Sequence, residues 1–230
     1  MMSPATFVMI AATAMSAAAC GLLVLAEFAD DHARRARAKP VASLGFVVVG
    51  VAAMVAQPSA CAVLIVVGQV LGAFGDLELL RSREPGRADA KRRFAVGVGL
   101  FLAGHLAYVV GFATVVSPLR WPRLAGYPML ILVYIATRMA RTVHAKVDGP
   151  LKRLVPAYAV IIAVMVIGAN AVAAHGVWGG GLRLYIGALM FFLSDLFVAK
   201  DLVDDDVWNR VWGLPLYYAG QLLMAWSIAG

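Results

Sequence analysis

Long apolar runs recur along this chain with only short polar connections between them, and that pattern restricts it to helices crossing a lipid bilayer. A span needs ~20 largely apolar residues, because each rises ~1.5 Å against a hydrocarbon layer ~30 Å thick. In hydrocarbon the backbone N–H and C=O groups must pair within the segment, so each run is predicted as α-helix. Eight runs are predicted, at residues 4–28, 40–56, 59–80, 94–116, 124–143, 154–174, 182–200 and 209–229. In the fifth, the purely apolar stretch ends at Thr137, which places Arg138 within the helix or at its rim. Composition agrees, at 62% hydrophobic and 14% charged, where soluble domains are nearer half apolar and a quarter charged. No polar stretch is long enough for a soluble unit, so residues 1–230 are expected to form one all-α membrane domain of eight transmembrane helices. The apolar run from Phe7 to Leu25 lacks a preceding basic segment and is expected to be an uncleaved first helix.

The connections sort by charge. One side carries Arg34, Arg35, Arg37 and Lys39, then Arg81, Arg83, Arg87, Lys91, Arg92 and Arg93. The same side carries Arg138, Arg141, Lys146, Lys152 and Arg153, then Lys200 and Arg210. Only Arg120, Arg123 and Arg183 fall on the other side, and an odd number of spans would scramble this division. Basic residues are retained in the cytoplasm, so both termini are expected on the non-cytoplasmic side. The net charge of +7 therefore belongs to topology and gives no reason to expect nucleic acid as a partner. Arg outnumbers Lys and Ala and Gly are abundant, which points to a GC-rich bacterial genome and hence to a bacterial inner membrane.

An Asp at a helix centre costs ~2.5–3.5 kcal/mol on insertion scales, so each one within a span asks for a reason. Asp76 lies five residues before the boundary at Arg81, and Asp195 five residues before Lys200. Both spans run inward, which sets both carboxyls ~7–8 Å from the cytoplasmic ends of their helices. Gly68, Gly72, Gly75 and Asp76 share one helical face; Gly187, Phe191, Ser194 and Asp195 repeat the spacing, as do Gly97, Phe101, Gly104 and His105. Small residues let helices approach closely, so these stripes are expected to face the bundle interior and carry their polar groups with them. Tyr158 and Tyr218 lie toward the cytoplasmic half, and Gln221 and His105 nearer mid-membrane. Glu78 is expected at the rim, the cluster Asp201, Asp204, Asp205 and Asp206 as a solvated loop, and Asn170 with Gly179–Gly181 as turn chemistry near the outer face. Cys20 and Cys61 sit in apolar runs without a CxxC or paired His, so buried thiols are expected, with no metal and no cofactor.

Six short motifs, in order, resemble those of the lysoplasmalogenase family, the YhhN-like membrane proteins. They are "AKPVASL" at Lys39–Pro40, "GAFGDLELL", "GLFLAGHLAYVVGF", "PAYAVIIAVMVIGA", "IGALMFFLSDLFVAK" and "LYYAGQLLMA". Ala38 stands where that family more often has threonine before the Lys-Pro pair. The resemblance implies hydrolysis of the vinyl ether bond of lysoplasmalogens to a fatty aldehyde and a glycerophospho-base, with Asp76 and Asp195 as the catalytic pair. Such a bond is cleaved by protonating its β-carbon, and water captures the oxocarbenium ion. That division between an acid and a carboxylate parallels the glycosidases, and which Asp plays which part stays open. Lys39, Lys200 or Arg138 would hold the phosphate of a lysophospholipid substrate. The chain would pass His105, Tyr108 and Gln221, with Tyr158, Ser194 and Tyr218 nearby, among membrane lipids. The rival readings are a proton-coupled transporter, in which the Asp pair relays protons, and an intramembrane aspartyl protease. The latter carries YD and then GxGD, whereas the order here is GD and then SD. Head-group preference and oligomeric state are not legible.

Overall fold

A computed structural model describes residues 3–230. Among them are eight long helices: α1 Pro4–Phe28, α2 His32–Ala56, α3 Ala60–Ser82, α4 Ala90–Val115, α6 Pro128–His144, α7 Pro150–His175, α8 Gly181–Asp201 and α9 Val207–Trp226. A short helix, α5 Trp121–Ala125, precedes α6, and single 3-10 turns occupy Pro118–Arg120 and Ser227–Ala229. Six of these helices, α1–α4, α7 and α8, are long and apolar enough to cross a membrane.

The other two fall short for local reasons. The predicted fifth span is cut: Gly126 takes a φ of 61° after α5, and α6 restarts at Pro128 with 17 residues. A φ in that region suits glycine, and proline fits the first turn of a helix, where no N–H is needed. The 20 residues of α9 include Asn209, Arg210 and Pro215 among its aromatics, which dilutes its apolar character.

Several helices begin earlier than predicted. A side-chain cap explains α2: Asp31 Oδ1 accepts from the Arg34 N–H at 2.9 Å, so the helix starts at His32 and runs straight through Pro40. A cap of this kind satisfies one of the donors left open at a helix start. Likewise α4 begins at Ala90 and α7 at Pro150, which puts Arg35, Lys91 and Arg93 on helices instead of in loops.

Neighbour contacts close into a ring: α1 on α2, α2 on α3, α3 on α4, α4 on α7, α7 on α8, α8 on α9, and α9 back on α1. Helix α9 also touches α2 and α3, and α6 packs against α7 and α8. The glycine stripes make two of these contacts close. A methyl at Gly104 of α4 would stand 2.9 Å from the Gly68 carbonyl of α3, and one at Gly187 of α8 would stand 2.7 Å from the Gly220 carbonyl of α9. The stripes therefore do face the interior, and they bring Asp76, His105 and Ser194 in with them, each 3% exposed or less. Cys20 and Cys61 are buried free thiols.

Candidate active site

The ring helices and α6 together line an open cavity of about 680 Å³. Its lining comes from the same end of every helix: the last turns of α1, α3, α6 and α8 and the first turns of α2, α4, α7 and α9. That end is the one bearing the basic connections. From Ala90 to Phe101, both in the lining, the wall descends ~17 Å at 1.5 Å per residue, about halfway through a bilayer. The lower walls are apolar, with Val98, Phe101, Met139, Ile162 and Phe192, whereas charged side chains ring the mouth.

Asp76 and Asp195 both line this one cavity, in separate polar settings. The Lys39 Nζ lies 3.2 Å from Asp76 Oδ1, and Ser43 Oγ donates to Asp76 Oδ2 at 2.7 Å. Asp76 is 3% exposed, so this ammonium–carboxylate pair is largely removed from water. Helix α2 supplies both partners one turn apart, at positions 39 and 43. Tyr218 backs the group from α9: its hydroxyl lies 3.3 Å from Ser43 Oγ and 3.5 Å from the Lys39 carbonyl.

Around Asp195 the partners are a phenol and an imidazole. Tyr158 Oη donates to Asp195 Oδ2 at 2.7 Å. His105 Nε2 stands 3.6 Å from the same oxygen, too far for a hydrogen bond. That imidazole is fully buried and wedged among Tyr158, Phe191 and Tyr108, with ring centroids 5.2, 4.6 and 6.4 Å away.

At the mouth, ion pairs tie four helices together. Arg210 of α9 reaches Glu27 of α1 at 3.0 Å, Asp201 of α8 at 2.8 Å and Asp205 at 2.5 Å. Asp201 also pairs with Arg83, the residue that follows α3, and Arg35 of α2 pairs with Asp30 and lies 3.8 Å from Glu27. Glu78, by contrast, is a rim residue as expected, bonded to Arg81 at 2.9 Å and Arg93 at 3.0 Å. The reading of the acidic cluster as a solvated loop holds for Asp204, Asp205 and Asp206, which are exposed, and needs correction for Asp201. The Asp201 side chain is only 7% exposed because two guanidinium groups cover it, and Asp206 caps α9 through the Trp208 N–H at 3.1 Å.

Of the side chains singled out in the sequence, Lys39, Asp76, Tyr158, Ser194 and Asp195 line the cavity. His105 lies behind Asp195, and Tyr218 behind Ser43. Tyr108 donates to Gln221 Oε1 at 2.8 Å, and this buried pair sits off the cavity. Arg138 and Lys200 are exposed and outside the lining. The buried face of α6 is set by Leu132, Ala136 and Val143, and Arg138 lies outside that stripe. Sequence reasoning missed Glu27, Arg35, Arg83, Lys91, Asp201, Arg210 and Tyr217, all of which line the cavity. A capping signal was present in one case, Asp31 three residues before Arg34; the rest needed the partner helices.

The fold and site together define an integral membrane protein in which two carboxyl groups, Asp76 and Asp195, line one cavity. Its family is established by sequence: the chain belongs to the YhhN family, whose family model matches residues 34–228 and which includes lysoplasmalogenases. No curated protein and no solved structure matches the chain.

Proposed function

We propose that this protein hydrolyses the vinyl ether bond of lysoplasmalogens, with Asp195 as the general acid and Asp76 as the general base. The observation that carries this reading is the pairing of two carboxyl groups on one cavity with opposite partners. Asp76 has an ammonium to balance a carboxylate; Asp195 has a phenol and an imidazole edge and, among the described residues, no lysine or arginine partner. An acid and a base set apart by their surroundings are what this chemistry requires.

Asp195 gives its proton to the β-carbon, and the double-bond electrons form the new C–H bond. The oxocarbenium ion left behind is met by water, whose oxygen bonds the α-carbon while its proton goes to Asp76. The hemiacetal then collapses: its hydroxyl proton returns to Asp195, the bond to the glycerol oxygen breaks, and Asp76 protonates that oxygen. The products are the fatty aldehyde and the glycerophospho-base, and both carboxyl groups are restored.

The cavity's apolar lower walls, Val98, Phe101, Met139, Ile162 and Phe192, suit a hydrocarbon chain, and its charged mouth suits a polar head. Arg83 and Lys91, which line the mouth, suit the phosphate better than Arg138 and Lys200, which lie outside the lining, and Lys91 has no carboxylate partner among the described residues. In this reading α6 and α9 also cross, eight spans place both termini outside, and the cavity opens to the cytoplasmic half of a bacterial inner membrane.

The test is aldehyde release from a lyso-alkenyl phospholipid by purified protein in detergent. Wild type should turn over, and Asp76→Asn and Asp195→Asn should each lose at least ~10²–10⁴-fold, the range for removing proton-transfer catalysis. A wild-type protein that releases no aldehyde overturns the assignment.

A further inference from the structure

The cavity is deeper on one side than on the other. On α3 its lining ends at Asp76 and on α9 at Tyr217, whereas on α7 and α8 it continues a turn past Tyr158 and Asp195, to Ile162 and Phe192. Further in along α3 the bundle is filled. Each glycine of the stripe is covered by side chains: Gly75 by Phe101, Gly72 by Tyr217 and Gln221, and Gly68 by Tyr108. A methyl built at Gly75 would stand 2.9 Å from the Phe101 ring, and one at Gly72 3.2 Å from Gln221 Nε2. A hydrocarbon chain therefore has no room to continue from Asp76 toward mid-membrane past Tyr108 and Gln221.

The deeper side is walled by three helices, each presenting one stripe at helical spacing. Helix α6 contributes Ala136, Met139, Ala140 and Val143. Helix α7 answers with Val155, Ala159 and Ile162, and α8 with Phe192, Leu196 and Ala199. Each stripe covers two turns, ~10 Å of helix. All ten side chains are apolar. The polar members of the same stripes, Tyr158 and Asp195, bond to each other at 2.7 Å. Helix α6 packs against α7 and α8 but contains no glycine, so it lacks the residue that brings α3 close to α4 and α8 close to α9.

We propose that this apolar arm between α6, α7 and α8 is the subsite for the substrate's hydrocarbon chain, and that the small side chain of Ala140 sets what the arm admits. The inference rests on the reading of the cavity as a lysolipid hydrolase site. In vinyl ether hydrolysis by this pair, Asp195 protonates the β-carbon, an atom of the chain, and Asp76 protonates the glycerol oxygen, an atom of the head. Asp195 stands in the wall of the arm, while Asp76 stands beside Lys39 on the side that lacks it. A lipid lying with its chain toward α6 and its phosphate toward Arg83 and Lys91 meets both carboxyl groups in the order the reaction needs.

Chain-length selectivity and photolabelling test this. Ala140→Phe puts an aromatic ring into the arm, and Val133→Phe, at a position of α6 that is 41% exposed and outside the lining, is the control. With an active wild type, the ratio of kcat/KM for a long-chain over a short-chain lyso-alkenyl phospholipid should fall at least ~10-fold in Ala140→Phe, the scale on which apolar pockets discriminate. Val133→Phe should leave that ratio unchanged. An unchanged ratio in Ala140→Phe overturns the arm and leaves the hydrolase reading standing. A lysophosphatidylcholine with a diazirine at its chain end should label wild type within the three stripes. Labelling at Tyr108 or Gln221, or only at lipid-facing positions such as Ile131 and Tyr134, overturns the arm as well. A wild type that releases no aldehyde overturns the hydrolase reading, and the labelled positions then decide the arm alone.

Discussion

Replacing Lys39 with methionine tests whether the base of the cavity is held by charge. The Lys39 and Asp76 side chains are 14% and 4% exposed and 3.2 Å apart. Removing one partner of such a pair leaves a buried charge uncompensated and typically costs ~3–5 kcal/mol. Ser43 still donates to Asp76 at 2.7 Å, which puts the expected loss near the lower end, about 3 kcal/mol. That is on the order of a hundredfold in the folding equilibrium, and about 6–12 °C in Tm at the ~2–4 °C per kcal/mol usual for chains of this length. The double variant Lys39→Met/Asp76→Asn removes both charges and should recover most of the loss. Thermal unfolding in one detergent, followed by tryptophan fluorescence, gives the four corners of a double-mutant cycle, and a coupling of about 2 kcal/mol or more is expected. If Lys39→Met alone costs less than about 1 kcal/mol, the pair behaves as a solvated surface contact. The assignment of Asp76 as the charge-paired carboxylate then fails with it.

Two alanine substitutions separate the packing glycines from the free ones: Gly104→Ala drives a methyl to 2.9 Å from the Gly68 carbonyl, while Gly99→Ala meets nothing within 4 Å. Gly104→Ala should lose about 1–3 kcal/mol, as overpacked sites do, and Gly99→Ala should leave Tm unchanged or raise it slightly. At the mouth, Arg210→Met strips a partner from Glu27 and Asp201, each 7% exposed at the side chain. A loss of about 2 kcal/mol is expected, since Arg35 and Arg83 remain, whereas Arg34→Met, at a pair 51% exposed on the arginine side, should be near neutral. For topology, single cysteines at Gly86 and Asp148 should react with a membrane-impermeant thiol reagent only after inside-out vesicles are made. Cysteines at Ser117 and Gly179 should react in intact spheroplasts, over the low background of buried Cys20 and Cys61. Labelling of all four from one side would rule out the eight-span arrangement.

What could be read from the sequence was what depends on one helix at a time. The helical class followed from apolar length, and the inward face of α3, α4 and α8 followed from glycine spacing, because period and side-chain size are properties of a single segment. Asp76 and Asp195 stood out for the same reason: a carboxyl within an apolar span is costly wherever the neighbours lie. Residues at home in the interface behave differently. Arg35 and Lys91 were placed in loops because apolarity marks where a helix leaves hydrocarbon, not where its hydrogen bonding stops, and the cap at Asp31 carries α2 two turns further. Asp201 was read as solvated because its two guanidinium partners come from position 83, 118 residues away, and from position 210. The tyrosines make the point most sharply. Tyr217 and Tyr218 differ by one step of ~100° around α9, and only the first lines the cavity. Which of them does so is fixed by rotation of α9 about its axis, and that rotation is set where Gly220 meets the backbone of Gly187 on α8. A motif spaced Tyr-x-x-Gln selected Tyr218, which braces Ser43 and the Lys39 carbonyl, whereas the contact of Tyr217 and Gln221 with Gly72 exists only once α3 and α9 are assembled.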